Sequence, residues 1–152
     1  LNNSSDPVKS LNDLKSENSK LKKQIEALLK DKAASMKGNL KQEIETINGI
    51  RFLAKLVDLD ATGIKDLSFE IGQEFDNAVL LFGAKQQGKA LLSCYVSKGL
   101  VTSKGLNAGT IVRELGSYIQ GGGGGQPFYA TAGGKNPAGL QEALEKAKSY
   151  IV

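Results

Sequence analysis

Apolar residues in the first part of the chain recur at alternating spacings of three and four, a pattern typical of a coiled-coil helix. Asp6 and Pro7 predict where the helix begins, because aspartate caps helix N-termini and proline at the first helical position loses no hydrogen bond. We expect a disordered start at 1–6 and a helical subdomain at 7–48. The predicted seam consists of Leu11, Leu14, Asn18, Leu21, Ile25 and Leu28.

A four-residue step from Ile25 to Leu29 interrupts this spacing and rotates the apolar stripe around the helix. Gly38-Asn39 follows within the second stripe, so we consider a break at 37–39 between a long helix and a short one. The second stripe runs through Leu29, Met36, Leu40, Ile44 and Ile47.

One narrow apolar seam does not stabilise so long a helix alone in water. Three arrangements would cover it: docking of the leucines on the following domain, a second helix folded back on the first, or pairing with another chain. Asn18 favours pairing between chains, since a buried asparagine at a seam position fixes register and strand number.

Beyond Gly49 the pattern changes to short apolar runs, which alternate with segments whose apolar residues recur at helical spacing. Lys85-Gln86-Gln87-Gly88 suits a hairpin loop, and Asn107 suits a helix cap. This order predicts an α+β (α/β-like) fold, with a small sheet and helices packed on it, in one globular subdomain at 49–152. Strands are expected at 50–59, 78–82 and 89–96, and helices at 63–75, from Asn107 and at 137–150.

Composition removes most routes to an active site. The chain has no histidine and one cysteine, which excludes Ser-His-Asp and Cys-His centres, zinc sites of the HExxH type and intrachain disulfides. We therefore predict neither catalytic residues nor a metal site, and we expect Cys94 to be a small buried hydrophobe.

Targeting signals are also missing from the sequence. LNNSSDPVKS lacks the pattern of a signal peptide, and no run of about 18 apolar residues would span a membrane. A first residue other than methionine suggests a piece of a longer chain. We expect a cytoplasmic protein without a membrane partner.

Five consecutive glycines at 121–125 form the segment that no packing argument requires. One interpretation is a flexible linker. The other is exposed backbone whose N–H groups bind a phosphate or a ribose. The glycines match neither GxGxxG after a strand nor GxxxxGK[ST], so the nucleotide-binding fingerprints do not apply.

Charge is distributed unevenly around these glycines. Residues 50–83 hold three basic and six acidic side chains, whereas residues 84–141 hold six basic and one acidic side chain. Such a basic region beside exposed backbone favours a polyanionic ligand, with ordinary solvated lysines as the alternative. Phe128 and Tyr129 have either of two roles, stacking on a base or packing within the loop.

Several segments together resemble the C-terminal domain of alanyl-tRNA synthetase. They are NAG at 107–109, GGGGGQPFYATAGG at 121–134, AKSYIV at 147–152, and the strand that starts after Asn48-Gly49 behind a coiled-coil-like helix. The likeness covers residues 10–152. The glycine-rich element is shared with the wider DHH-associated domain family, which includes substrate-binding domains of DHH phosphoesterases.

This resemblance implies a helical subdomain for homodimerisation and a globular subdomain that binds the outer corner of alanine-specific tRNA, helping to couple aminoacylation with editing. It implies no cofactor here, since the ATP, magnesium and zinc of the parent enzyme belong to upstream centres. The residues expected to bind nucleic acid are Lys85, Lys89, Lys98, Lys104, Arg113, Gly121, Gly122, Gly123, Gly124, Gly125, Gln126, Phe128, Tyr129, Gly133, Gly134 and Lys135.

Two alternatives stay open at this point. One is the substrate- or nucleic-acid-binding domain of a DHH-type phosphoesterase, which would require a DHH metal motif upstream. The other is a structural coiled-coil adaptor whose globular part is only a cap.

Overall fold

The computed structural model describes residues 7–152, so the expected disordered start at 1–6 lies outside the described residues. Within residues 7–152, no helix is both long enough and apolar enough to cross a membrane.

The first element is a single long helix, α1, at Pro7–Gln42. It runs unbroken through Gly38, so the break considered at 37–39 does not form. Tertiary contacts explain this, because Leu40 is buried in the core and Lys41 pairs with Glu74. These contacts outweigh the roughly 1 kcal/mol that a glycine costs within a helix.

The helix also ends earlier than its apolar pattern predicts. Glu45–Ile47 forms a strand, β1, which pairs antiparallel with β2 at Ile50–Leu56. Asn48 and Gly49 between them both have positive φ, at 50° and 79°, which is the geometry of a two-residue type I′ hairpin turn. Asn-Gly is therefore a turn within the sheet, and Ile47 packs in the sheet rather than on the helix.

Within residues 7–152, six strands form one mixed sheet in the order β1-β2-β3-β4-β6-β5, and only β2 and β3 run parallel. The hairpin predicted at 85–88 is confirmed, and Gln87 and Gly88 have positive φ at its tip. The remaining strands are β3 at Ala78–Gln86, β4 at Lys89–Val96, β5 at Gly121–Gly125 and β6 at Tyr129–Gly134.

Helices cover both faces of the sheet and create two apolar cores. One core places α2 and the end of α1 against one face, and the other places α4 and α5 against the opposite face. Cys94 is fully buried in the second core, where burial raises the pKa of its thiol. The helices are α2 at Ala61–Gly72, α3 at Lys98–Lys104, α4 at Ala108–Leu115 and α5 at Leu140–Ala147.

The α+β architecture is confirmed, with differences in the bounds of its elements. The first strand stops at Leu56 instead of 59, and α2 covers 61–72 instead of 63–75. The strand predicted at 78–82 continues to Gln86, and the final helix is α5 flanked by 3₁₀ turns. Helix α3 and the hairpin of β5 and β6 lie where no regular element is predicted.

Candidate nucleic-acid interface

The five-glycine block is neither a linker nor a compact anion nest, because it forms the outermost strand of the sheet. Strand β5 pairs with β6 on one side and is the edge strand on the other. Its hairpin is closed by hydrogen bonds in both directions between the backbones of Gln126 and Tyr129, at 2.8 and 3.2 Å. Four of the five glycines are exposed and Gly124 is half-buried.

Alternate glycines of β5 face very different surroundings. A Cβ added at Gly121, Gly123 or Gly125 would overlap the backbone of β6. In contrast, a Cβ at Gly122 would meet no atom within 4 Å, and one at Gly124 would have the Arg113 guanidinium as its nearest neighbour, at 3.9 Å. Packing therefore requires glycine at three of the positions but leaves room for side chains at the other two.

Gly122 and Gly124, where packing does not require glycine, belong to a surface without side chains on one face of the hairpin. Gly122 pairs with Gly133 and Gly124 pairs with Thr131, and directly paired residues share a face of a sheet. Gly133 is exposed as well, and its added Cβ would have only one neighbour, the carbonyl oxygen of Ala90, at 3.9 Å. A ligand can thus approach the main chain closely here, which the same strand with ordinary side chains would prevent.

Helix α4 holds this hairpin from the opposite face. Asn107 caps the helix as predicted, since its side chain accepts a 3.1 Å hydrogen bond from the backbone N–H of Thr110. The N–H of Ala108 donates to the carbonyl of Pro127 at 2.8 Å, which ties the start of α4 to the hairpin turn. The exposed Arg113 side chain then lies beside the middle of β5.

The five lysines predicted to bind nucleic acid are separated into two groups. Lys85 and Lys89 belong to the hairpin of β3 and β4, and Lys135 follows the paired Gly134 at the same end of the sheet. Lys98 and Lys104 lie on α3, beyond the opposite end of β4, about 25 Å away along the strand. The first three, with Arg113 and β5, form the surface that we call the glycine edge.

The two candidate stacking residues are engaged within the protein. The ring of Tyr129 lies 5.3 Å from that of Phe69, and the ring of Phe128 lies 6.4 Å from Phe69, with the Lys98 ammonium 5.7 Å from the Phe128 centroid. Burial raises the pKa of Tyr129. A base that stacked on Phe128 would have to compete with Lys98, so these aromatics have a clear packing role against α2.

Sequence reasoning missed the different roles of alternate glycines and the position of Arg113 beside β5. The one available signal was the spacing of YATAGG, which places Ala130 and Ala132 on one face and Thr131 and Gly133 on the other. Glu114, next to Arg113 in α4, accepts a 2.5 Å hydrogen bond from the Tyr150 hydroxyl. Burial is the largest cause that raises the pKa of Tyr150 to about 12, and the Glu114 carboxylate is the second.

Residues 7–152 contain no group of three or more histidine, cysteine, aspartate or glutamate side chains arranged to hold a metal ion. The glycine edge itself presents exposed backbone bordered by basic side chains.

Comparison with known proteins assigns this fold to a family, since the model of the DHHA1 domain matches residues 49–152. The chain belongs to the DHHA1 domain family. Its DHHA1 domain covers β2 to the last residue, and so includes the complete glycine edge.

Curated relatives of this DHHA1 domain chain are alanine–tRNA ligases, which confirms the resemblance. The chain is 68% identical over 151 residues to the ligase of Christiangramia forsetii, covering 99% of the chain and 17% of the relative. It is 45% identical over 146 residues to that of Flavobacterium psychrophilum, covering 96% and 16%. The chain thus spans about a sixth of the length of these relatives.

Solved structures share the fold of the DHHA1 domain. The C-Ala domain from Aquifex aeolicus alanyl-tRNA synthetase matches with a TM-score of 0.65 and 24% identity, covering 71% of this chain and 96% of that chain. A DHH-domain protein described as a member of the s1p family of ribosomal proteins matches with a TM-score of 0.52 and 18% identity, covering 85% of this chain and 32% of that chain.

Proposed function

We propose that this chain binds tRNA as the non-catalytic C-terminal module of an alanine–tRNA ligase. The observation that carries the proposal is the side-chain-free surface at Gly122, Gly124 and Gly133, with Arg113 beside it. Packing leaves room for side chains there, so the absence of side chains has its explanation in a ligand that contacts the main chain. The similarity to alanine–tRNA ligases supports tRNA as that ligand.

The chemistry of the glycine edge suits a phosphodiester backbone. Unpaired N–H groups of an edge strand donate hydrogen bonds, and in protein–DNA complexes about half to two-thirds of the hydrogen bonds go to phosphate and sugar. The Arg113 guanidinium binds phosphate in bidentate fashion, while Lys85, Lys89 and Lys135 supply point charges at one end. None of this requires a cofactor.

At a finer level, we propose that the bound part is the outer corner of alanine tRNA, so that one tRNA is held while the rest of a cytoplasmic ligase aminoacylates and edits. A tRNA that is bound at its corner keeps its acceptor end free to move between the two active centres. ATP, magnesium and zinc would then act only in the parent enzyme.

Gel-shift titration of the full chain with an alanine tRNA transcript tests the proposal. We expect binding at low salt that weakens steeply as salt is added, because condensed counterions are released. Reversing charge with Arg113→Glu and Lys135→Glu together should lower affinity at least tenfold, since hydrogen bonds to charged groups contribute about 1.5–3 kcal/mol each.

The matched control reverses two exposed lysines away from the glycine edge, Lys65→Glu and Lys146→Glu. It changes net charge by the same amount and should reduce affinity far less. The proposal fails if the wild-type chain does not bind at low salt, or if the two double variants bind equally. An acceptor-stem hairpin without the corner should bind more weakly than whole tRNA, and equal affinity would contradict the corner assignment.

We also propose that α1 pairs two copies of the chain. The apolar seam residues Leu11, Leu14, Leu21, Ile25 and Leu28 are 51–68% exposed, so the described fold covers them neither by docking nor by a folded-back helix. Sedimentation equilibrium should give a dimer, and Ile25→Glu should shift it to monomer because a charge at the seam opposes burial. A wild-type monomer at high concentration would disprove the pairing without affecting tRNA binding.

The phosphoesterase alternative has weaker support. A DHH-domain structure shares the fold at 18% identity, and this similarity supports a common fold but no common function. Sequence identities of 68% and 45% to alanine–tRNA ligases favour the tRNA-binding module.

A further inference from the structure

The net positive charge of the chain resides on the long helix. Helix α1 holds nine lysines and four acidic residues, whereas residues 43–152 hold eleven basic and eleven acidic residues. The body of the domain is therefore neutral overall, with a local basic patch at the glycine edge. Since the summed charge sets the field that attracts a polyanion, α1 is the element that attracts it at long range.

Lysines near the C-terminal end of α1 are neutralised by the domain. They hold the helix against α2 and the segment before it, and Glu74 has its pKa lowered by hydrogen bonds from Lys41 and Lys37. The pairs are Lys32 with Asp58, Lys37 with Glu70 and Glu74, and Lys41 with Glu74.

A second group, Lys15, Lys20, Lys22 and Lys23, has no such partners, and we call it the lysine collar. All four are exposed, and within the described residues none of them forms an ion pair. A cleft of about 640 Å³ between α1 and α2 is lined on α1 by Glu26, Leu29, Lys30 and Ala34. Lys20 and Lys23 precede Glu26 by six and three residues, about 9 and 4.5 Å of helix, so the collar lies before the part of α1 that lines this cleft.

The collar occupies one side of α1. At 3.6 residues per turn, Lys20 and Lys23 point away from the apolar seam, and Lys15 and Lys22 border it on one flank. Glu17, the one acidic residue within 15–23, lies on the other flank. Pairing of two chains through the seam would therefore leave the outward lysines accessible.

We propose that the lysine collar is a second RNA-binding surface, which contacts the phosphate backbone of the tRNA held at the glycine edge. The inference rests on the proposed function and adds a contact outside the DHHA1 domain. Exposed ammonium groups on a regular helix act as mobile point charges, which suit backbone contacts without sequence readout. The collar would increase affinity and association rate while the glycine edge sets position.

Salt-dependent binding of alanine tRNA tests this with the full chain and two charge-matched triple variants. One is Lys20→Gln, Lys22→Gln and Lys23→Gln, which retains helix propensity. The control is Lys65→Gln, Lys146→Gln and Lys148→Gln, on α2 and the C-terminal segment. Sedimentation of both variants verifies that the association state equals that of the wild type.

We expect the collar variant to reduce the slope of log affinity against log salt by about 2 to 3, close to one per lost phosphate contact, and the control to leave it within about 0.5 of the wild type. Equal slopes for both variants would overturn the collar and leave the proposed function intact. A wild-type chain that does not bind tRNA would overturn both. Collar-dependent binding to phosphatidylglycerol vesicles, with an unchanged tRNA slope, would also overturn it.

Discussion

Replacing Gly123 by alanine should lower the free energy of unfolding by about 1–3 kcal/mol, the usual cost of forcing an extra carbon into a filled space. The new Cβ would overlap the carbonyl oxygen of Thr131 and the backbone of Ala132. Neither is the end of a flexible side chain, so β5 must move away from β6 and weaken the hairpin. Urea denaturation followed by circular dichroism measures the loss.

Gly122→Ala is the matched control, one residue away in the same strand. A Cβ there meets no atom within 4 Å, and the glycine has no positive φ that would oppose a side chain. Its stability should stay within about 0.5 kcal/mol of the wild type, as for most surface substitutions. If the two alanine variants unfold at the same urea concentration, then alternate glycines of β5 do not differ in the space available for a side chain.

Leucine at Gly122 or Gly124 should leave the chain folded and weaken tRNA binding by roughly tenfold to a hundredfold. This range corresponds to one charge-assisted hydrogen bond of about 1.5–3 kcal/mol. The bulky side chain would stand on the open surface and keep a phosphate away from the main-chain N–H groups. Filter binding at a fixed salt concentration, with thermal unfolding of each variant, separates affinity from stability.

A leucine at Gly38 provides the control, since a Cβ there also meets no atom within 4 Å but lies on α1, away from β5. Its affinity should equal that of the wild type. Unchanged binding by the Gly122→Leu and Gly124→Leu variants would show that the open surface is not where RNA binds.

The elements that depend on local sequence could be predicted. The hairpin at Gln87-Gly88, the Asn107 cap and the apolar strands β3 and β4 follow from turn chemistry, capping and short apolar runs. Asn48-Gly49 carries an equally clear hairpin signal. The coiled-coil pattern that precedes it led instead to a boundary there, although β1 and β2 pair across it.

The elements that depend on tertiary contacts could not be predicted. Glycine has poor strand propensity, so β5 exists because β6 pairs with it and α4 packs on it. Gly38 signals a break, yet burial of Leu40 continues the helix. Charge counts located a basic region, but only the register shows that Lys98 and Lys104 lie at the far end of β4 from Lys85 and Lys89.

Glycine-selective ¹⁵N labelling provides the most direct test that the glycine edge binds tRNA. The chain has 18 glycines, of which ten lie in α1, at turn positions 49 and 88, in β5 and in β6, and eight lie elsewhere in the fold. On titration with alanine tRNA, the amide signals of Gly122, Gly124 and Gly133 should shift or broaden most, while those of Gly49 and Gly105 stay in place. Binding of tRNA with unchanged β5 signals would contradict the proposed interface.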